Sequence, residues 1–470
     1  MGHLTEKERI DWQCAAALRG MLQNFLLITG GPGTGKTTTV AKLLALYIYE
    51  YPHASVVAAA PTGKAVQRLG ESLENSLASP HFHLDDPRIR RRLEDIPRAT
   101  IHRLLGWQKG RTEFRHTGAH PLTYDLIIVD EASMVDVPLM AKLMAAVKDG
   151  AKLILMGDKD QLASVEVGSV FGDLCRSFAR GGYLPREREV INRCILRPEC
   201  HIPKTCEDDA AQPVLVELLR SRRFTADSAI GRLSAAAIGG RFQDVAALLK
   251  AGEVETGSVR VYEKPGVLHG ETAERIGEYA AYIDEKDTRR ALEKLDRFRI
   301  LCAMRNGEYG VERMNVLVEQ ELTRRGCISP NGERLYHNKP LIIRQNNYDL
   351  GLFNGDTGVV RRSGGGLYFY YRTQDETETG VAKIPVEKLP RHEPLFAMTI
   401  HTSQGSEFDH VFLVLPPVTI PLLTRELFYT GITRAKKRVD ICVPQDVLAY
   451  TLHRQVDRVS GVEERITPWE

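Results

Sequence analysis

The apolar residues of this chain form short continuous runs that alternate with amphipathic stretches between residue 25 and about residue 175. Continuous apolar runs of this length are typical of strands that are buried on both faces, and the stretches between them have helical spacing. The pattern therefore predicts a parallel sheet covered by helices on both faces. The predicted strands are 25–29, 55–59, 126–129 and 152–156, and the predicted helices include 35–49 and 63–77.

The second half of the chain repeats this alternation around a different kind of segment. The predicted elements are a strand at 299–304, a helix that ends near 325, and strands at 395–400, 411–415 and 439–443. Between them, residues 326–395 hold short β runs separated by turn residues such as Asn354-Gly355, which predicts a small inserted β-barrel. Residues 181–213 are rich in Arg, Glu, Pro and Cys, follow neither pattern, and are interpreted as a long surface connection.

These patterns predict an α/β fold with two parallel-sheet domains. The first domain is expected at 1–212, with a small insertion near 107–123. The second is expected at 213–325 and 396–470, on either side of the inserted β domain at 326–395. A chain of 470 residues is long enough for two or three such domains.

Composition narrows the class of protein. The chain has 43% hydrophobic and 26% charged residues, and it has no apolar run suited to a membrane span or a signal peptide. Its eight cysteines are scattered without a C-x-x-C pair, which favours reduced thiols in the cytoplasm. The net charge is only +2, so a polyanion would have to bind to a local surface. The basic run 88–92 is followed by acidic residues and is interpreted as a solvated helix face.

A phosphate-binding loop follows the first predicted strand. Gly30-Gly31-Pro32-Gly33-Thr34-Gly35-Lys36-Thr37 matches the pattern G-x-x-x-x-G-K-[ST] between a strand and a helix. Its glycines let backbone N–H groups turn toward phosphate oxygens at the positive end of the helix dipole. The motif predicts ATP binding, with Lys36 on the β- and γ-phosphates and Thr37 on Mg²⁺. The predicted nucleotide-contacting residues of this segment are Gly31, Pro32, Gly33, Thr34, Gly35, Lys36, Thr37 and Thr38.

Polar residues that follow two other buried strands complete a candidate catalytic set. Asp130 and Glu131 follow strand 126–129, and ligands bind at the carboxyl ends of the strands in an open parallel sheet. Beside a phosphate loop, Asp130 is expected to hold Mg²⁺ and Glu131 to polarise the attacking water. The same pair alone would be interpreted as a helix cap. Gln161 follows strand 152–156 and is a candidate γ-phosphate sensor, although its surroundings are also typical of a turn.

Two arginines, both assigned to the second predicted domain, are candidate arginine fingers. Arg223 lies in Ser221-Arg222-Arg223-Phe224, and Arg434 lies in Thr433-Arg434-Ala435. A cation that stabilises the transferring phosphoryl group raises the rate by roughly 10³- to 10⁵-fold. Surface salt bridges remain the alternative from local sequence alone.

Nine motifs follow one another along the chain: Asp11-Trp12-Gln13, 30–37, 60–65, 100–106, 130–134, 157–164, 352–356, 399–408 and 424–434. In this order they resemble the motifs of the RecD family of superfamily 1 helicases, the alpha subunits of the bacterial RecBCD helicase–nuclease (exodeoxyribonuclease V). The resemblance implies two RecA-like domains, with ATP hydrolysed in the cleft between them, and an inserted SH3-like domain. It also implies 5′–3′ movement on single-stranded DNA in double-strand-break repair and recombination. The implied partners are the other helicase and nuclease subunits of such a complex.

Further residue roles are implied by this resemblance. Gln13 resembles the glutamine that reads adenine, and Gly405 and Glu407 resemble the segment that reaches the nucleotide from the second domain. The positions that match DNA-facing motifs are Pro61, Thr62, Thr100, His102, Asn354, His401 and Thr402. Without the resemblance, Thr100 would be interpreted as a helix cap and His401 as a core histidine.

The sequence departs from the family pattern at three places. It begins shortly before Gln13, where the family has a further N-terminal domain, so a stand-alone helicase is an alternative to a complex subunit. The family usually has an aromatic residue at Arg222 and a lysine at Thr402, which affects the expected position of Arg223 and one DNA-phosphate contact. The segment 107–123 is short for a strand-separating pin.

Other function classes have less support. A metal-dependent nuclease would place Asp/Glu-x-Lys beside a strand, but the match Asp284-Glu285-Lys286 lies in a charged helical stretch, so nuclease activity is not expected. A DNA-binding subunit with a silent ATPase site is disfavoured because the catalytic set is complete. Zinc binding is not favoured, because a zinc site would need tighter ligand spacing than the chain offers at Cys194, Cys200, His201 and Cys206.

Overall fold

The computed structural model describes residues 5–80, 82, 84–108, 113–163, 170–178, 182–206, 208, 214–224, 228–250, 259–262, 275–373, 380–456 and 461–462. The chain divides into two compact units, Met1–Asp227 with Asp457–Glu470, and Ser228–Val456. Each unit contains a parallel sheet, and the second also contains an antiparallel one, which confirms the predicted α/β class with an inserted β domain. Within the described ranges, no helix is long and apolar enough to cross a membrane.

Six parallel strands form the sheet of the first unit. Their bounds are β1 Phe25–Gly30, β2 Val56–Ala60, β3 Arg98–Thr100, β4 Leu126–Val129, β5 Lys152–Gly157 and β6 Leu215–Leu218. The strand order is β3-β2-β4-β5-β1-β6, and every pairing is parallel. All carboxyl ends therefore meet at one edge of the sheet. The chain segments that follow β1, β5 and β4 lie side by side there, because these strands are neighbours.

Helices cover both faces of this sheet. Their bounds are α1 Glu6–Arg9, α2 Trp12–Leu22, α3 Lys36–Glu50, α4 Gly63–Leu77, α5 Pro87–Glu94, α6 Ile101–Leu104, α7 Val137–Ala146, α8 Val170–Ser177 and α9 Pro185–Cys194. Alternate strand residues enter two separate apolar clusters: Leu26 of β1 packs with α3 residues, whereas Leu27 packs with α7 residues. Because both faces of each central strand are buried, the strand sequences are continuously apolar.

The structure corrects the prediction for residues 181–213 and the domain boundary after residue 212. Helix α9 lies in this segment, and its Ile191 packs with Ala15 of α2 in a buried cluster. Strand β6, which was not predicted, pairs with β1, with Leu215 opposite Leu27. Residues 214–224 therefore belong to the first unit rather than the second. The signal for β6 was weak, since it has four residues and alternates half-buried and buried positions.

A buried arginine fixes α2 to these late elements of the first unit. Arg19 of α2 is fully buried, and it donates from Nε and Nη2 to the two carboxylate oxygens of Glu187 on α9 at 2.6 and 2.8 Å. Its Nη1 donates to the carbonyl of Leu215 in β6 at 2.9 Å, and its guanidinium lies 3.8 Å from the centre of the Tyr183 ring. One side chain thereby holds α2, α9 and β6 together.

The second unit contains a five-stranded parallel sheet and a five-stranded antiparallel sheet. Its strands are β7 Val259–Tyr262, β8 Phe298–Cys302, β9 Pro340–Ile343, β10 Thr357–Ser363, β11 Gly366–Arg372, β12 Val381–Pro385, β13 His392–Pro394, β14 Ala397–Thr399, β15 Phe408–Val414 and β16 Ala435–Cys442. Its helices are α10 Ala229–Ile238, α11 Phe242–Lys250, α12 Ala280–Ile283, α13 Thr288–Leu295, α14 Val311–Arg324, α15 Arg425–Ile432 and α16 Gln445–His453. The parallel sheet has the order β14-β8-β15-β16-β7.

The antiparallel sheet is the inserted β domain. It has the order β12-β11-β10-β9-β13 and lies within the predicted segment 326–395. Its own apolar cluster includes Leu341, Val360 and Phe369. Arg361 of β10 is buried and donates to the backbone carbonyls of Tyr282 and Glu285, so the sheet is attached to α12 and to the residues just after it.

Candidate functional site

The phosphate loop runs from the end of β1 to the start of α3. Gly33 has a φ of +75° and Gly35 a φ of +85°, a left-handed conformation that glycine adopts without steric cost. The Lys36 ammonium donates to the carbonyls of Gly30 at 2.5 Å and Gly31 at 3.3 Å. The lysine side chain therefore folds back over the loop, where phosphate oxygens would be its alternative partners.

The threonines that follow Lys36 lie in the first turn of α3 but have different surroundings. Thr37 is half-buried. The Thr38 hydroxyl lies 3.4 Å from the Ser76 hydroxyl on α4. The Thr34 hydroxyl donates to the Gly31 carbonyl at 2.9 Å, which stabilises the turn of the loop. Of these side chains, Thr37 best suits the predicted metal contact, whereas Thr38 is directed toward α4.

Gln13 of α2 packs against the loop. Its Nε2 donates to the Thr34 carbonyl at 3.0 Å, and its Oε1 accepts from Arg222 Nη2 at 3.3 Å. A Cβ added at Gly35 would overlap Gln13 Nε2, so the amide lies directly over the loop backbone. Adenine reading by Gln13 stays a prediction.

Asp130 and Glu131 follow β4 at the carboxyl edge of the sheet. The Asp130 backbone N–H donates to the Ala59 carbonyl at 2.9 Å, and the Glu131 N–H donates to Asp130 Oδ1 at 2.9 Å. Burial and the neighbouring Glu131 raise the pKa of Asp130 to about 6, while Lys36 acts in the opposite direction. The ionised Asp130 carboxylate is thus short of compensating positive charge, which a divalent cation would supply.

Glu131 itself has a strained backbone. Its φ is +51°, in the left-handed region that non-glycine residues rarely adopt. Such a conformation costs about 1–3 kcal/mol and is found preferentially at functional sites. A short 3₁₀ turn, Ala132–Met134, starts directly after it.

Gln161 is held beside β1 by the turn that follows β5. Its Nε2 donates to Asp158 Oδ2 at 3.0 Å, and both side chains are buried. The next residue after Asp158 is bound to β1, because the Lys159 N–H donates to the Thr29 hydroxyl at 3.1 Å. Gln161 Oε1 is buried, and none of the described residues bonds to it. The turn interpretation is therefore right locally, and it leaves one buried amide oxygen without a hydrogen-bond partner among the described residues.

Arg223 lies against the phosphate loop in the first unit, which corrects its assignment to the second domain. The Ser221 hydroxyl donates to the Pro32 carbonyl at 2.8 Å, and the Arg222 N–H donates to the Gly33 carbonyl at 2.8 Å. A Cβ added at Gly33 would overlap the Cβ of Arg223. The reason is topological: β6 pairs with β1, so the chain that leaves β6 runs beside the loop that leaves β1. The contacts of Ser221 and Arg222 were not predicted, and recognition of β6 is the signal that would have revealed them.

The second unit brings together a different part of the predicted set. Gly405, with a φ of +66°, and Glu407 lie between β14 and β15. Arg434 is buried and donates from Nε to the Thr430 carbonyl at 3.2 Å and from Nη1 to the Ser406 carbonyl at 3.3 Å. Arg434 thus bonds to backbone carbonyls beside Gly405 and Glu407 rather than forming a surface salt bridge.

The predicted DNA-facing residues of the first unit follow β2 and β3. Pro61 and Thr62 directly follow β2, and the Thr62 hydroxyl accepts from the Ala65 N–H at 3.2 Å. Thr100 ends β3, and its hydroxyl accepts from the Arg103 N–H at 3.3 Å. Both threonines are therefore helix caps, and each cap still leaves the O–H free to act as a donor to another group. His102 is exposed.

The corresponding residues of the second unit lie in two places. His401 and Thr402 follow β14 at the carboxyl edge of the parallel sheet. The Thr402 N–H donates to the Thr399 hydroxyl at 3.1 Å, and His401 is half-buried rather than part of the core. Asn354 is exposed in the antiparallel domain, and its N–H donates to Asn346 Oδ1 at 2.7 Å.

In the cysteine-rich segment after α9, the side chains pack against apolar residues and bond to the backbone. Cys200 and Cys206 pack against the cluster that contains Tyr183 and Ile202. His201 Nε2 lies 2.9 Å from the Ile195 carbonyl. Over the part of the chain that the structure describes, no three side chains of metal-ligating type are gathered at one point.

Sequence comparisons identify relatives of the whole chain. Residues 13–167 match the AAA domain family, and residues 394–442 match the UvrD-like helicase C-terminal domain family. The RecBCD enzyme subunit RecD of Mycobacterium tuberculosis is 37% identical over 97% of this chain and 73% of its own length. The subunit of the same name from Haemophilus influenzae is 33% identical over 97% of this chain and 72% of its own. The ATP-dependent RecD2 DNA helicase of Deinococcus radiodurans is 28% identical over 88% of this chain and 46% of its own.

The comparisons agree with the geometry of the first unit. A phosphate loop beside strand-borne carboxylates at the edge of a parallel sheet is the arrangement of a nucleotide-hydrolysing domain. The match to a helicase C-terminal domain covers β14 to β16 in the second unit. The chain therefore belongs to the RecD family of superfamily 1 helicases and is an ATP-hydrolysing DNA helicase.

Proposed function

We propose that this helicase moves 5′ to 3′ on single-stranded DNA as the motor subunit of a helicase–nuclease complex that acts in double-strand-break repair and recombination. Family membership supports the proposal, since relatives at 33 and 37% identity are named as RecBCD subunits. Its partners would be the 5′ end of unwound duplex and the other helicase and nuclease subunits. We place it in the cytoplasm, where its eight free thiols would stay reduced.

The observation that carries the motor part of the proposal is the order of the strands in the first unit. The phosphate loop, Gln161 and Asp130 follow the neighbouring strands β1, β5 and β4. Of the predicted DNA-facing residues, Thr62 lies shortly after β2 and Thr100 is the last residue of β3, and these two strands continue the same sheet edge. The proposed ATP site and the predicted DNA-facing residues would therefore share one sheet, through which a change at one site could be transmitted to the other.

We assign each residue at this edge a separate role in ATP hydrolysis. We propose that Lys36 and the backbone N–H groups of the loop bind the β- and γ-phosphates. Thr37 and Asp130 would hold Mg²⁺, which neutralises phosphate charge when bound. Glu131 would polarise the attacking water, and Gln161 Oε1 is suited to accept a hydrogen bond from it. Arg223, adjacent to the loop, would stabilise the charge that develops on the transferred phosphoryl group.

We further propose that hydrolysis requires residues of both units, with ATP bound in a cleft between them and alternating grip on the strand driving movement. The buried Arg434, with Gly405 and Glu407 beside it, would supply the second part of the site. Arg434→Ala is then expected to reduce DNA-stimulated ATP hydrolysis by about 10³-fold or more. Lys437→Ala, which removes an exposed charge nearby, is the control, and thermal unfolding verifies that each variant is folded. Unchanged hydrolysis in Arg434→Ala would exclude the shared site.

The first experiment is ATP hydrolysis with and without single-stranded DNA, for the wild type, Lys36→Ala and Lys42→Ala. Lys42 lies on the same helix outside the loop, so its substitution controls for loss of a positive charge on α3. Strong DNA stimulation that only Lys36→Ala abolishes would support a DNA-dependent motor. DNA binding without hydrolysis in any of the proteins would instead indicate a silent binding subunit, or a motor that depends on its partners.

Direction and assembly need separate measurements. Unwinding of a duplex with a 5′ single-stranded tail, but not of one with a 3′ tail, is the expected result, and the reverse preference would refute the proposed polarity. Co-purification with the other subunits would support the complex. A stand-alone helicase is the alternative. The similarity to the Deinococcus enzyme favours it, because the name of that enzyme, ATP-dependent RecD2 DNA helicase, mentions no complex. Unwinding by the isolated chain that partner subunits do not increase would support it.

A further inference from the structure

We propose that a pocket beside the starts of β2, β3 and β4 binds a backbone phosphate of single-stranded DNA through Arg103 and His116. The inference rests on the proposed movement along single-stranded DNA. It adds a phosphate subsite formed by two residues to which the resemblance assigns no role: Arg103, which lies within the motif 100–106, and His116, which lies outside the motifs. Arg103 and Thr100 share one helical turn, so this phosphate would belong to the same strand that passes Thr100 and His102.

The lining of the pocket is suited to an anion. The cavity has a volume of about 340 Å³. The lining side chains that carry hydrogen-bond donors are Arg98, Arg103, His116, Thr123 and Tyr124. The other lining residues are apolar, and no carboxylate is among them. Phosphates of nucleic-acid strands are bound mainly by arginine, hydroxyl and ring N–H donors of this kind.

Arg103 is the principal cation of this pocket. It is exposed, and within the described ranges no carboxylate lies within ion-pair distance of its guanidinium. Its backbone is fixed, because its N–H is bonded to the Thr100 hydroxyl and its carbonyl accepts from the Gly106 N–H at 3.0 Å. The guanidinium is therefore presented from a rigid turn and is available to a ligand.

His116 contributes a ring nitrogen without a protein partner. Its Nδ1 is buried, and no residue in the described part of the chain bonds to it. The His116 N–H donates to the Leu105 carbonyl at 2.9 Å, which holds the residue next to α6. A buried polar atom of this kind is costly unless a ligand or water supplies its partner, and a phosphate oxygen can accept from a ring N–H.

The nearby acidic groups are already engaged. Glu74 pairs with Arg98 at 3.0 Å, so Arg98 is only partly available to a ligand. Asp125 pairs with Lys148 at 2.6 Å and accepts from the Ser55 hydroxyl at 2.8 Å. Hydrogen bonds from Lys148 and Ser55 hold the pKa of Asp125 at about 2, so this carboxylate stays ionised and compensated. The charge that remains facing the pocket is therefore positive.

Salt-dependent binding of a fluorescent single-stranded oligonucleotide tests the inference in the full chain. Each phosphate contact contributes about 0.7 to the slope of log affinity against log salt concentration for single strands. Arg103→Gln is expected to weaken binding roughly tenfold at low salt, as the loss of one charge-assisted hydrogen bond would, and to reduce the slope by about 0.7. His116→Gln should weaken binding less. Arg91→Gln removes the same charge from the exposed face of α5, and it should change neither the affinity nor the slope.

Each contrary outcome has a distinct meaning. If the wild type binds DNA and shows stimulated hydrolysis, but Arg103→Gln binds as the wild type does, the pocket inference is wrong and the proposed function stands. Equal losses of DNA affinity in Arg103→Gln and Arg91→Gln would also refute the pocket inference, because the affinity would then depend only on the overall charge of the protein. Failure of the wild type to bind single-stranded DNA would refute both. If inorganic phosphate raises the unfolding midpoint of the wild type but not of Arg103→Gln, while their DNA affinities are equal, the pocket holds a small anion and not DNA.

Discussion

Replacing Gly33 with alanine should destabilise the first unit and weaken ATP binding. An L-residue at the observed φ of +75° costs about 1–2 kcal/mol. The new Cβ would also overlap the Cβ of Arg223 and lie 3.0 Å from the backbone nitrogen of Arg223 and from Ser221 Oγ. These atoms are held by hydrogen bonds from Ser221 and Arg222 to the loop, so they cannot move without breaking them. Overpacking of this kind costs about 1–3 kcal/mol, which gives a total of roughly 2–5 kcal/mol.

Gly150→Ala separates the two contributions. Gly150 has a nearly identical φ of +79°, and no atom lies within 4 Å of its added Cβ. Gly150→Ala should therefore lower the free energy of unfolding only by the cost of the left-handed backbone, about 1–2 kcal/mol, and leave the ATP affinity unchanged. Denaturant unfolding gives the free energies, and calorimetric titration gives the affinities. If Gly33→Ala lost no more stability than Gly150→Ala and bound ATP equally well, the close contact between residues 221–223 and the loop would be refuted.

Three further substitutions test other parts of the fold. Arg19→Met should cost about 3–5 kcal/mol because it leaves the Glu187 carboxylate buried without its partner, and adding Glu187→Leu should recover most of that loss in denaturant unfolding. Burial lowers the pKa of His410, but its bonds to Asp440 and Glu278 outweigh this and raise the pKa above 6.5. The protonated His410 therefore stabilises the fold below pH 6.5, and this stabilisation is lost as the pH rises through the raised pKa. His410→Gln should lower the free energy of unfolding more at about pH 5.5 than at about pH 9. An equal loss at both pH values would contradict the raised pKa. Asn315→Ala should cost at least about 1–3 kcal/mol, because the buried amide accepts from two backbone N–H groups at the start of β14, and a stable, fully active variant would contradict its role in positioning that strand.

Elements with strong local signals could be predicted closely from the sequence. The strand predicted at 126–129 is β4, Leu126–Val129, and the helix predicted at 63–77 is α4, Gly63–Leu77. A continuous apolar run identifies a strand buried on both faces, and Thr62 caps the helix as its residue type predicts. The phosphate loop was equally accessible, because its chemistry lies within eight consecutive residues.

The errors arose where the structure depends on distant pairing. Strand β3 is only half-buried, and β6 lies at the edge of the sheet, so neither has a continuous buried run. The contact between Ser221 and Pro32 joins residues that are 189 positions apart. No local pattern encodes such a contact, and the missed strand is what moved Arg223 into the wrong unit.

The edge position of β6 determines how this protein can be divided for recombinant expression. A fragment that stopped at residue 212 would lack β6 and would leave the backbone of β1 from Leu27 to Gly30 as an open sheet edge. Exposed apolar edges of this kind pair with other chains and aggregate. The same fragment would also lack the carbonyl acceptor of Arg19 at Leu215 and the residues that brace the phosphate loop. A soluble fragment of the first unit therefore has to extend to at least residue 224.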